Sequence, residues 1–433
     1  MRILSAALLS VAVIAAAEPA LAGSVPPPVA ETRNCAWQAK IDPYGVNALF
    51  PDRAARYWLL QLPAAAGMSL DIHGRFPHSR YISFTTYDPA LRSVDGLNDV
   101  RIRPDRGSRS PFLPGASRRV PDGQRTYTVH VVQGSRPSRP AANHLYTGSS
   151  DGSRSAPYFS VIYRDYEPDR SYGDDGGVGL PSVTVRTPAG AVPLPTCTAP
   201  VAPATGLNET VANGSLPVGA SGGSTTVPAW HKFYNLPSAL AYGADPATGG
   251  RGGAVQPFTR SLPQGGFADN PDNKYIAASV SQLTGEVVII HSRLPTHPRT
   301  YQHQAVMQSA QLRYWSLCSN DPITERFYAC VIDDEMPVAA DGTFTTVVSS
   351  TANRPKNATP ACGIAWLPLG PGPATVLIER NMLPSPGFRY SIQRARYDHE
   401  RADLGAYYPT TRYTSVAQAE RLGCHRPARD GSR

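Results

Sequence analysis

Lysine is nearly missing from this sequence. Lys40, Lys232, Lys274 and Lys356 are the only four, and the rest of the 41 basic residues are Arg. An arginine excess of this kind tracks genome base composition more often than it marks a binding surface. The densest basic stretch, residues 101–119, is broken by Asp105, Pro104, Pro111 and Pro114 and has few aromatics. It lacks the stacking platform of a nucleic-acid site, and no nucleic-acid partner is expected. No apolar run of 18 residues follows the N-terminal segment, so no helical membrane span is expected after it. No CxxC pair, P-loop, HExxH or dinucleotide fingerprint occurs, and Gly176-Gly177-Val178-Gly179 lacks the GK[ST] ending. Long amphipathic helices are absent too; residues 303–311 and 415–422 are the modest helix candidates.

Turn formers are plentiful, with 43 Pro and 37 Gly in 433 residues. A hydrophobic share of 41% still supplies a packed core, which excludes wholesale disorder. The N-terminus reads as an export signal: Arg2, an apolar stretch over residues 3–17, then Ala20-Leu21-Ala22. Cleavage before Gly23 is expected, with no lipid-bearing Cys behind it, giving a secreted or periplasmic protein. Six cysteines fit an oxidising compartment. Cys318 and Cys330 lie on two short apolar runs joined by Asn320-Asp321-Pro322, so this pair is expected from adjacent strands. Cys35–Cys197 and Cys362–Cys424 follow only by elimination.

An internal duplication organises the chain. Ile72-His73-Gly74-Arg75-Phe76-Pro77 recurs as Ile290-His291-Ser292-Arg293-Leu294-Pro295, and Tyr57 and Tyr275 each precede the histidine by 16 residues. Arg80-Tyr81-Ile82-Ser83-Phe84 ends at Asp88-Pro89, and Arg313-Tyr314-Trp315-Ser316-Leu317 ends at Asp321-Pro322. Thr126-Tyr127-Thr128-Val129 matches Thr343-Phe344-Thr345-Thr346. Both copies consist of short alternating runs rich in β-branched and aromatic residues, bounded by turn formers. The expected fold is all-β: two tandem β-sandwich or jelly-roll-like domains with few short helices. The expected division is a signal peptide (1–22), a first domain (23–200), a Pro/Gly/Ser-rich linker (201–265) and a second domain (266–433).

The run Arg75-Phe76-Pro77, Arg80-Tyr81-Ile82-Ser83-Phe84, Tyr87-Asp88 resembles a family of secreted bacterial proteins with no assigned activity. So do Pro111-Phe112-Leu113-Pro114-Gly115, Arg313-Tyr314-Trp315-Ser316-Leu317-Cys318 and Arg380-Asn381-Met382-Leu383-Pro384. The resemblance implies duplicated β-sandwiches and export, and carries no catalytic assignment.

His73 and Arg75, with His291 and Arg293, are the foremost polar candidates, because a His beside an Arg fork suits a carboxylate, sulfate or phosphate. The structural alternative ties them to Asp88 or Asp321 within each domain. A catalytic site would gather His73, Arg75, Tyr81 and Asp88; a ligand site in the second copy would use His291, Arg293 and Tyr314. No cofactor is implied, except that Asp333, Asp334 and Glu335 offer oxygen ligands for calcium, as do Asp174-Asp175 and Asp269-Asn270-Pro271-Asp272 more weakly. His291, His297 and His303 recur every six residues, but Pro295 and Pro298 interrupt any zinc pattern. Gly148-Ser149-Ser150-Asp151-Gly152 matches a nucleophile elbow without the helix that motif needs, and reads better as a hairpin loop. Two functions follow. The favoured one is a non-catalytic binding module for a glycan or other anionic envelope polymer, helped by a net charge of +8. The alternative is a secreted hydrolase or lyase acting on a polysaccharide or ester.

Overall fold

The computed structural model describes residues 35–47, 49–89, 91–148, 158–197, 227–232, 268–307, 309–322, 324–372 and 374–424. The expected signal peptide, most of the expected linker and Ser149 to Gly152 of the elbow-like motif lie outside the described residues.

Alternation in the sequence becomes strand. In β3 (Ser69–Arg75), Leu70 and Ile72 are buried while His73 and Arg75 face out. Two sheets form in the first half. The inner one runs β1 (Ala39–Ile41), β2 (Ala55–Pro63), β8 (Tyr158–Pro168), β4 (Ser79–Tyr87), β5 (Ser93–Asn98). The outer one runs β10 (Gly190–Leu194), β9 (Ser182–Thr187), β3, β6 (Thr126–Val132), β7 (His144–Tyr146). Leu60, Ile82, Phe84 and Tyr163 from the inner sheet meet Leu70, Ile72, Val129 and Val131 from the outer one to make the core.

The second half repeats this order. Its inner sheet runs β11 (His231–Lys232), β12 (Asn273–Val280), β18 (Thr375–Pro384), β14 (Leu312–Asn320), β15 (Phe327–Ile332). Its outer sheet runs β17 (Ile364–Pro368), β16 (Thr343–Ser349), β13 (Val287–Arg293), β19 (Thr410–Thr414). Strands β1 to β9 thus each have a counterpart in the same place, and β10 is an added edge. Even the parallel pairing of β7 on β6 recurs as β17 on β16. His73 stands opposite Thr128 and Ser182, and His291 opposite Thr345 and Thr410. The fold is all-β, with two one-turn α-helices among the described residues: α1 (Glu400–Leu404) and α2 (Val416–Glu420). Ser415 starts α2 with a capping box to Gln418.

All three expected disulfides are present: Cys35–Cys197, Cys318–Cys330 and Cys362–Cys424. Cys318 and Cys330 are directly opposed on β14 and β15.

Two segments differ from their sequence reading. The described residues of 303–311 contain no helix: His303 takes a left-handed φ of 64°, and Gln311 N–H bonds back to Thr296 O at 2.9 Å. This segment is anchored by Val306, which inserts into the core of the first half. Within the expected linker, Trp230 is buried in the second core, and Lys232 Nζ donates to Ala395 O at 2.6 Å. Residues 227–232 therefore pack as part of the second sandwich.

Candidate functional site

The two inner sheets face each other, which is why every residue of β4 and of β14 is buried. One side of β4 (Ile82, Phe84) fills its own core; the other side (Tyr81) meets Tyr314 and Met382 of the second half. A strand buried on both faces must satisfy its polar groups inside the interface.

It does so by a reciprocal exchange. Arg80 Nη1 lies 2.6 Å from Asp333 Oδ1, and its Nη2 bonds Asp334. Arg313, its counterpart, reaches back to Asp99 at 3.1 Å, and Asp99 stands where Asp333 stands in the other copy. Both aspartates fix their own strand too: Ile82 N–H donates to Asp99, and Trp315 N–H donates to Asp333, each at 2.9 Å. The tyrosines cross likewise, Tyr81 Oη to Asp272 at 2.7 Å and Tyr314 Oη to Asp52 at 2.6 Å. So does the backbone: Phe50 N–H donates to Glu325 O at 2.9 Å, and Ala268 N–H to Leu91 O at 3.1 Å.

A cavity of about 60 Å³ lies on this pseudo-two-fold axis. Its walls pair off across the axis as Tyr57 with Tyr275, Ile162 with Ile378, and Arg164 with Arg380; Phe50 and Asp269 close the sides. Arg380 Nη2 donates to Phe50 O at 2.7 Å, and its Nη1 is 3.6 Å from Asp52. Arg164 has no carboxylate partner among the described residues. Its Nη1 donates to Thr85 Oγ1 at 3.1 Å, its Nη2 bonds Tyr87 Oη and Ala268 O, and its Nε has no acceptor. Burial opposes its charge, but the surrounding phenol groups of Tyr87, Tyr166, Tyr57 and Tyr81 hold its pKa above the usual arginine value. Its guanidinium also sits 5.2 Å from the Tyr57 ring centroid. Burial pushes the Tyr57 and Tyr275 phenols up, so both stay neutral donors. The cavity therefore combines two guanidinium groups, the Asp269 carboxylate, phenol groups and an apolar floor of Ile162 and Ile378.

The residues singled out from sequence lie elsewhere. His73 is exposed on the first outer sheet, with Nδ1 3.2 Å from Thr128 Oγ1 and 3.5 Å from Asp105. Arg75 donates to Val178 O at 2.7 Å. Tyr81 belongs to the inner sheet and the interface, and Asp88 grips Arg92 Nε at 2.8 Å. The four do not line one cleft, because the first two face outward from a different sheet. His291 repeats His73, with Thr345 Oγ1 at 3.2 Å; Arg293 is exposed beside it, and Tyr314 is buried in the interface. The alternative that ties these His and Arg residues to Asp88 or Asp321 does not describe their contacts either: Asp321 accepts from Tyr328 Oη at 2.7 Å and from Thr324 N–H.

The acidic cluster serves the interface. Asp333 and Asp334 hold Arg80, and Glu335 holds Arg53 at 2.6 Å. His297 Nε2 is 3.0 Å from Asp334, whereas His291 lies on the outer sheet. Asp174 bonds Lys40 and Arg56, and Asp272 holds Tyr81 and Asn98.

Arg164 and Arg380 escaped the sequence reading although a signal was present. Each is a lone Arg inside a buried strand, in Ile162-Tyr163-Arg164-Asp165 and Ile378-Glu379-Arg380-Asn381, at matching positions of the two copies.

No family model matches the chain, and no curated protein matches it. Among solved structures, it is similar to an uncharacterised protein from Burkholderia cenocepacia at 13% identity, covering 88% of this chain and 83% of that one with a TM-score of 0.47. It is also similar to a protein from Vibrio parahaemolyticus at 11% identity, covering 86% of this chain and 92% of that one with a TM-score of 0.39.

Proposed function

We propose that this is an exported, non-catalytic binding protein that holds the anionic group of a small molecule or envelope glycan between its two sandwiches. One observation carries the reading: Arg164 is a buried cation with no carboxylate partner among the described residues, and it lines a cavity on the axis relating the copies. An uncompensated buried charge is costly, and an incoming carboxylate offsets that cost. A cavity of about 60 Å³ takes a group of a few heavy atoms, such as a carboxylate on a short chain or at the rim of a sugar. The nearby Arg380 already faces Asp52 at 3.6 Å, and the Asp269 carboxylate in the wall accepts from Ser93 Oγ at 3.2 Å, so Arg164 is the guanidinium left to receive a carboxylate. Export fits the N-terminal pattern and the three disulfides.

Calorimetric titration with acetate, propionate and glucuronate, each beside a neutral amide or alcohol analogue, tests the reading. Saturable binding of one of the acids, with no binding of its analogue, is expected. Ile378→Phe fills the cavity without touching Arg164 and should abolish that binding, whereas Arg164→Gln should weaken it at least tenfold. No saturable acid binding, or binding that survives Ile378→Phe, overturns the proposal.

A further inference from the structure

The first outer sheet carries a polar row that the second copy replaces with apolar residues. Asp71 on β3, His130 on β6 and His144 on β7 are consecutive neighbours across three strands. The equivalent row in the second half is Ile289, Val347 and Trp366. There the face is covered: Val416 and Ala419 of α2 pack on Ile289 and Val347, and Cys362–Cys424 ties the covering segment down. In the first half no such cover lies on the corresponding face among the described residues, and the His130 side chain is 39% exposed. The two halves share one strand order, so the polar row is a local departure that the sandwich itself does not require.

Both imidazoles are oriented through Nδ1. Asp71 Oδ1 accepts from His130 Nδ1 at 2.7 Å, and Ala142 O accepts from His144 Nδ1 at 2.8 Å. A carboxylate and a carbonyl can only accept, so each histidine uses its Nδ1 as the donor, which leaves Nε2 as the nitrogen free to meet a metal. The ring centroids are 4.9 Å apart, which suits two nitrogens entering one coordination sphere about 3–4 Å from each other. Asp71 is anchored in turn by Arg186. A carboxylate or carbonyl on the far nitrogen is the usual outer support of a metal-binding histidine.

We propose that His130 and His144 form a two-imidazole site for a late first-row transition-metal dication, copper or zinc, with water completing the coordination. Asp71 and the Ala142 carbonyl position the rings and do not touch the metal. Imidazole pairs select these ions over calcium or magnesium, which prefer oxygen.

The test uses the full exported chain after cleavage, titrated with Zn²⁺ by calorimetry and with Cu²⁺ by electron paramagnetic resonance. One zinc equivalent should be lost, or weakened at least tenfold, in both His130→Gln and His144→Gln. The copper spectrum of the wild type should show two imidazole nitrogens, falling to one in either variant. Asp71→Asn should weaken zinc about tenfold or more while keeping both nitrogens. Unchanged melting temperatures in metal-free buffer establish that the variants are folded; should one fail to fold, the other carries the comparison. Equal zinc affinity in wild type and His144→Gln, or a copper spectrum unchanged by the substitutions, overturns the proposal.

Discussion

Arg80 of the first sandwich and Asp333 of the second form a fully buried pair across the interface, with Nη1 and Oδ1 2.6 Å apart and neither side chain exposed. The same pair recurs in reverse as Arg313 and Asp99 at 3.1 Å. Each guanidinium comes from the first residue of the shared Arg-Tyr-x-Ser run, and each carboxylate sits just beyond the edge strand of the other half. This interaction is used twice, beside the crossed tyrosine and backbone pairs, to hold the duplicated halves together.

Removing one member of such a pair leaves the other charged and dry. Arg80→Met should cost about 3–5 kcal/mol in urea unfolding, and Arg313→Met a similar amount. Arg53→Met breaks a half-exposed pair with Glu335 and should cost no more than about 1 kcal/mol. Equal costs for Arg80→Met and Arg53→Met would show that burial is not what gives the inner pair its weight.

His73→Ala and His291→Ala should each change stability by less than about 0.5 kcal/mol, measured by thermal or urea unfolding. Both side chains are exposed, and each touches a threonine at 3.2 Å. A loss above about 2 kcal/mol would restore these residues to a structural role.

The fold was legible because alternation and turn chemistry are local. Leu70, Ile72, Val129 and Val131 announce their own strands, and the repeat of His73 as His291 announces the second copy. The site was not legible for the opposite reason. Arg80 and Asp333 are 253 residues apart, and nothing near either one names its partner. Reading within one domain ties His73 and Arg75 to Asp88 and treats Asp333-Asp334-Glu335 as a calcium loop. Between domains, the acidic cluster receives Arg80 and Arg53. Arg164 could have been found as a charged residue inside an apolar strand, but its lack of a carboxylate emerges only when the two sheets are brought face to face.

Cys362→Ser with Cys424→Ser should release the cover of the second outer sheet before it unfolds the sandwiches. The bond ties the segment after α2 to the chain leading into β17, and Ala419 and Val416 pack on Ile289, Val347 and Ile364 beneath it. Loss of a disulfide in a sandwich of this size costs about 2–5 kcal/mol. Limited proteolysis should therefore cut near residues 415–424 in the variant while the cores survive. An unaltered digestion pattern would mean that apolar packing alone holds α2.

Stability should fall as pH rises from about 5 to 8, and Glu379 on β18 should account for part of that slope. Its carboxyl is buried, its Oε2 has no hydrogen-bond partner, and burial pushes its pKa up to about 8. Burial likewise raises Glu325 and Glu167 to about 8. The unfolded chain releases these protons near the ordinary glutamate value of 4.5, so between 4.5 and 8 the folded state binds more protons than the unfolded state. The contribution is complete below 4.5 and is lost as pH climbs through 8. Asp71 and Asp334 act in the other direction. Burial works to raise them, but His130 and Arg186 hold the first, and His297 and Arg80 the second, below 3.8. Their contribution is present above that value and lost as pH falls through their lowered values, so maximal stability is expected near pH 5. Glu379→Gln removes the titration while keeping the shape, and should flatten the slope by on the order of 1–3 kcal/mol between pH 5 and 8. Melting temperatures across that range decide it: parallel profiles for wild type and variant would exclude Glu379 as a source of the pH dependence.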